Sequence, residues 1–212
     1  MNIPQNASLL GNDKAEIMLD EFNISPSKFR ADSFLMLIIH EFEIRFKTID
    51  ISSTDFCGVM INSTNQFFIF VNSNLAPPRR NFTIAHEISH IFLHRDSSSF
   101  FENNSTIGEH TLLNNETQIE EVEANAYAAS LICPGSVLIH LIEMQCSFKR
   151  IASKTQISYE TLYWRIYNIL VNINGMERKR AIHILENFRN NTPGNENISD
   201  VIRKRVSHNL FI

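Results

Sequence analysis

Two histidines and a glutamate, in the order His86-Glu87-Ile-Ser-His90, stand inside an apolar, helix-like run from Asn81 to His94. On an α-helix four residues advance about 400°, so His86 and His90 leave one face a turn apart, placed to hold a single ion. That is the spacing of a zinc site. Glu87 lies about 100° round from His86, beside the ion but off the ligand face, where a carboxylate can take a proton from a water that the ion polarises. The same pattern also arises by accident on amphipathic helices, so it needs a third ligand on a second element. His94 shares the face, but eight residues of helix rise about 12 Å, too far for one ion to join it to His86. His94 is therefore expected to be structural, or a hydrogen-bond donor to the transition-state oxyanion at the cleft edge. Tyr127 and His110 are further oxyanion donors to consider, with a structural role the simpler reading for each.

After His94 the periodicity stops. Residues 95–118 are rich in Asp, Ser, Asn and Thr and long for an internal connection, which predicts a lid or loop over the site. Order resumes at Ile119: Glu120-Glu121-Val-Glu123-Ala-Asn125-Ala-Tyr-Ala-Ala-Ser-Leu-Ile has high helix propensity and stops before Pro134-Gly135. Glu120, Glu121 and Glu123 compete for the third ligand position, and an acidic first turn complementing the helix dipole would explain all three. Glu121 is set apart by Asn125, four residues on along the same face, whose amide can steady a ligand from behind. Glu120 ranks second.

These elements must be held by the rest of the chain. With 212 residues, 43% of them hydrophobic, it can bury a real core, and a formal charge of −4 argues against a chain devoted to nucleic acid. The N-terminus has no basic segment followed by a sustained apolar one, and no apolar run reaches membrane-spanning length, so a cytoplasmic protein without a membrane partner is expected. Cys57, Cys133 and Cys146 are odd in number and set among apolar neighbours, which reads as buried hydrophobes. Asp13 to Phe22 predicts a packing helix with Ala15, Met18, Leu19 and Phe22 on one stripe. Ser25-Pro26 reads as a helix start leading into the apolar segment Phe29 to Ile39, with His40 at its solvated end. From Glu43 the period becomes two. Glu43 to Ile49, Cys57 to Ile61 and Gln66 to Val71 predict a three-stranded, mostly antiparallel sheet, the last two strands joined through Asn62-Ser-Thr-Asn65. Pro77 and Pro78 end that strand and start the metal helix; Arg79 and Arg80 beside them read as a solvated pair or as contacts for an acidic substrate.

Beyond Pro134 the chain is helical. Phe148 to Leu170 has the outline of a helix-turn-helix, with Ser158 as an N-cap. Lys149, Arg150, Lys154 and Arg165 could meet phosphates there, and Tyr159 and Tyr163 bases, although packing or docking of a protein partner is the simpler role; Trp164 reads as core. Arg178-Lys-Arg180 and Arg203-Lys-Arg205 read as solvated basic faces.

The segments Phe82-Thr-Ile-Ala-His-Glu-Ile-Ser-His-Ile-Phe-Leu-His94 and Glu121-Val-Glu-Ala-Asn-Ala-Tyr-Ala-Ala-Ser-Leu-Ile-Cys-Pro134 together resemble the ImmA/IrrE family of bacterial metallo-endopeptidases, and the resemblance runs from roughly Ala15 to Leu170. It implies one Zn2+ per chain held by His86, His90 and Glu121, with Glu87 as the catalytic carboxylate. It also implies that the protein substrate is a helix-turn-helix transcriptional repressor, whose cleavage relieves repression of a mobile element, prophage or stress regulon. The fold expected is α+β and zincin-like: a small three-stranded sheet packed with helices, and a helical C-terminal region. Residues 1–145 would form the metallopeptidase domain, 146–175 a helical pair packed on it, and 176–212 a basic helical tail. A regulatory protein that binds the repressor or DNA through the C-terminal helices without cutting is the alternative.

Overall fold

The computed structural model describes residues 3–53, 55–64, 66–95, 99–103, 115–191 and 198–202. Helix α1, Ile3–Glu21, buries Ala15, Met18 and Leu19 as the sequence stripe predicts, but it begins ten residues earlier than that stripe. Gly11, Asn12 and Asp13 are poor helix formers, which hid the first half from a propensity reading. Docking supplies what propensity lacks. A Cβ on Gly11 would lie 2.9 Å from the Cα and the carbonyl oxygen of Tyr127, so α1 runs against the backbone of helix α4, Asn115–Ile132. Buried Ala124, Ala126, Ala128 and Ala129 keep α4 slim, and the Ser130 hydroxyl donates to the Ser8 carbonyl at 3.1 Å. Small residues on both partners thus fix α4, which the site needs as its second element.

Ser25 and Pro26 begin only a 3-10 turn, Pro26–Lys28; helix α2, Ala31–Glu41, starts afresh after Arg30 and buries Phe34, Leu35 and Ile38. Strands β1 (Arg45–Ile49), β2 (Phe56–Ser63) and β3 (Gln66–Asn72) then follow as predicted, with β2 and β3 antiparallel and β1 parallel to β3. Arg45, Lys47 and Thr48 are exposed on β1, an edge whose charges discourage further pairing. The sheet carries one strand more than the three expected. Part of the predicted lid, Ser99–Asn103, is strand β4, antiparallel to β2, giving the order β1-β3-β2-β4. Five residues among polar neighbours carry too little alternation to be read as a strand. The rest of that predicted lid, residues 96–98 and 104–114, lies outside the described residues, as does the tail from 203 onward.

Helix α3, Pro77–Leu93, packs across the sheet and buries every residue from Asn81 to Ile91. Helices α5 (Gly135–Glu143), α6 (Phe148–Thr155), α7 (Tyr159–Asn168) and α8 (Arg178–Asn190) complete the chain, with a π-helical turn at Ile169–Ile173 and a last helical stretch at 198–202. Side chains from α6, α7 and α8, among them Phe148, Leu162 and Leu185, join the same core as Met18 and Ile88. Ser158 caps α7 by accepting the Thr161 amide at 3.0 Å. Arg165 corrects the phosphate-contact expectation: it is fully buried, and its guanidinium donates to the Cys133 carbonyl and to the Asn12 side-chain oxygen. That oxygen also accepts the Gly135 amide, and Glu16 accepts the Ser136 amide, so one polar knot ties α1, the start of α5 and α7 together. Trp164 is not core but 44% exposed, set edgewise between Tyr163 and Tyr167. The three cysteines are buried and none is in a disulfide, and burial pushes the Cys133 thiol up to about 11. No single helix among the described residues is long and apolar enough to cross a membrane.

Gly11→Ala should lower stability by roughly 1–3 kcal/mol, because the clash with the Tyr127 backbone outweighs the gain of about 1 kcal/mol in helix propensity. The midpoint of urea unfolding reads this directly, and an unchanged or higher midpoint would contradict the close α1–α4 contact.

Candidate metal centre

The helix that carries the histidines owes its position to one glycine. A Cβ on Gly58 of β2 would lie 2.5 Å from Thr83 Cγ2 and 3.2 Å from Glu87 Oε1, so α3 approaches the strand closely just where Glu87 sits. Glu87 is fully buried there. One residue back on α3, His86 turns towards α4 instead, and His90 follows a turn later.

The three sequence-predicted ligands meet. His86 Nε2 and His90 Nε2 are 3.0 Å apart; Glu121 Oε2 is 3.3 Å from the first and Oε1 is 3.4 Å from the second. All three residues are buried, and they are the one His/Cys/Asp/Glu group among the described residues that could hold a metal ion. Glu120 and Glu123, the competing carboxylates, are outside that group.

Hydrogen bonding shows what this arrangement suits. The Asn125 side-chain oxygen lies 3.0 Å from His86 Nδ1; an amide oxygen only accepts, so His86 Nδ1 carries a proton, which in the neutral ring leaves the lone pair at Nε2. Burial lowers the His90 pKa to about 4, which keeps that ring neutral near pH 7. Burial on its own would raise the Glu121 carboxyl, but the hydrogen bonds and charge of His86 and His90 outweigh it and hold the group well below the usual carboxylate range. Two imidazoles and one carboxylate are therefore gathered in a buried group, with ligand atoms 3.0 to 3.4 Å apart. Ligands about 2.0–2.1 Å from a tetrahedral ion stand about 3.3 Å from one another, so the residues fit Zn2+ or a neighbouring first-row metal.

Tyr127 and His94, for which a structural role is the simpler reading, both make structural contacts. Tyr127 is buried with its ring against Phe92 and the Gly11 backbone, and burial raises its hydroxyl pKa. It serves the α1–α4 contact. His94, the C-cap of α3, has both ring nitrogens engaged: Nδ1 lies 3.1 Å from His90 Nδ1 and Nε2 lies 3.0 Å from Glu123 Oε2. His110 lies outside the described residues. Sequence reasoning missed the His94–Glu123 contact and the need for glycine at position 58. Spacing shows which residues share a helix face, but not which side chains of a second helix reach it.

A model of the IrrE N-terminal-like domain family matches residues 39–167, more than half of the chain and all three clustered ligands. No curated protein matches the sequence significantly. A solved Mycobacterium tuberculosis transcriptional regulator is similar at 12% identity with a TM-score of 0.47, over 82% of this chain and 52% of that one. This chain therefore spans about half the length of that regulator.

Asn125→Leu should weaken zinc binding by roughly 10–100-fold, the usual cost of removing an outer partner of a ligating histidine, whereas Glu121→Ala should lose stoichiometric binding. Competition against a chromogenic chelator measures both. Wild-type affinity in Glu121→Ala would remove Glu121 from the ligand set.

Proposed function

This chain belongs to the IrrE N-terminal-like peptidase family, and from that premise we propose that it is a zinc-dependent endopeptidase that cuts a helix-turn-helix transcriptional repressor in the cytoplasm. Cleavage would relieve repression of a mobile element, prophage or stress regulon. The observation that carries the reading is the meeting of His86, His90 and Glu121 in a buried group, with Glu87 beside His86 on the same helix.

When bound at those three residues, Zn2+ lowers the pKa of a water towards neutrality and polarises the scissile carbonyl. His86 and His90 present their Nε2 atoms and Glu121 its carboxylate, so the chain supplies two neutral donors and one charged one. Glu87 stays off the ligand set and is the base. Its carboxylate takes a proton from the attacking water as the oxygen bonds to the carbonyl carbon, then gives that proton to the amide nitrogen as the C–N bond breaks. Asn125 holds the His86 ring so that its lone pair keeps pointing inward.

Binding without cleavage through α6 and α7 is the second reading. Lys149, Arg150 and Lys154 are exposed there, as is Tyr159, but burial of Arg165 removes one of the four cations that a phosphate-binding face would use.

Incubation with the helix-turn-helix repressor encoded nearest its gene should yield discrete fragments with zinc-loaded wild type and none with Glu87→Gln, which should still carry one zinc. Fragments from Glu87→Gln, or stable complexes without fragments from both proteins, would contradict the peptidase reading.

A further inference from the structure

Behind His90 stands a pair of side chains that neither ligates nor takes the base's role. His94 Nδ1 is 3.1 Å from His90 Nδ1, and His94 Nε2 is 3.0 Å from Glu123 Oε2. The His94 side chain is 7% exposed and that of Glu123 28%. These contacts determine where the protons sit. His90 Nε2 faces His86 Nε2 and Glu121, so as a ligand it must offer a lone pair, and the one proton of the neutral ring lies on Nδ1. That N–H donates to His94 Nδ1, which must then be unprotonated. The His94 proton is left on Nε2, where it meets a carboxylate oxygen that only accepts. Moving it to Nδ1 would set two N–H groups head to head and turn a lone pair against the carboxylate. With an Nε2 lone pair on His90 offered to the ion, the first arrangement gives both contacts behind that ring, His90–His94 and His94–Glu123, one donor and one acceptor.

We propose that His94 and Glu123 are positioning residues for the metal centre: the Glu123 carboxylate fixes the His94 tautomer, and His94 then holds the His90 ring with Nε2 directed at the ion. This rests on the metal-centre reading given above. It assigns each histidine ligand its own support from α4, Asn125 for His86 and Glu123, acting through His94, for His90. A negative charge at the far end of a hydrogen-bonded chain also makes the ligating nitrogen a better donor. It explains why His94 shares the histidine face without ligating, since its Nδ1 meets the side of His90 opposite the centre.

The test uses the full chain, with zinc affinity measured by chelator competition and folding of the metal-free protein by circular dichroism. His94→Leu should lose roughly 10–100-fold in affinity, and Glu123→Ala a comparable factor. His94→Asn, whose side-chain oxygen can accept from His90 as Asn125 accepts from His86, should return to within about threefold of wild type. The double variant His94→Leu/Glu123→Ala should bind no worse than His94→Leu alone, because the carboxylate acts only through the imidazole. Affinities within about threefold of wild type in both single variants, even with lowered melting temperatures, would show mere packing and overturn the proposal. An unfolded His94→Leu leaves the decision to Glu123→Ala and His94→Asn on the same measurement. Wild type that takes up no zinc overturns the metal-centre reading together with this one; wild type that binds beside unaffected variants overturns this one alone.

Discussion

Two imidazole nitrogens held 3.0 Å apart away from water, each with its ring's proton placed on the other nitrogen, are the constraint on which the arrangement depends. Lone pairs at that distance repel one another unless a cation lies between them, and Glu121 adds a negative oxygen to each side. Such a group is unfavourable by itself and must be held by what surrounds it. The support comes from both sides. Asn125 and the His94–Glu123 pair hold the rings from behind, and the packing of α3 between sheet and α4 keeps the helices from separating.

That packing rests on small residues at two places. Gly58 lets α3 lie on β2 closely enough to bury Glu87, and Gly11, with the alanines of α4, lets α1 press α4 from its other side. The polar knot around Arg165 and Asn12 then fixes the turn where α4 ends and α5 begins. Glu87, the His86–His90–Glu121 group and the His94–Glu123 pair are thereby held on regular elements by close backbone approaches, one of them beside Glu87 itself, which favours a rigid arrangement.

Periodic features were the legible ones. The repeat of four that places His86 and His90 together, the alternation in β1 to β3 and the Glu121–Asn125 pair all follow from helix and strand geometry, and the structure carries each of them. What escaped depends on contacts between elements. Nothing local marks Arg165 as buried, because its partners come from Cys133 and Asn12, far away in the chain. Trp164 looked like core by residue type, yet α7 turns it outward. Strand β4 was hidden by its brevity, and the first half of α1 by residues whose intrinsic preference is overridden by docking on α4. Glu123 was set aside as a ligand, and its contact with His94 became visible only once two helices were placed side by side.

The central claim is that His86, His90 and Glu121 hold one metal ion while His94 stands outside it. Anomalous diffraction at the zinc absorption edge, from crystals of the zinc-loaded protein, tests this most directly. The account predicts a single peak within bonding distance of His86 Nε2, His90 Nε2 and a Glu121 oxygen, about 2.0–2.2 Å from each. The absence of a peak there, or a peak ligated by His94 or Glu87, would contradict it.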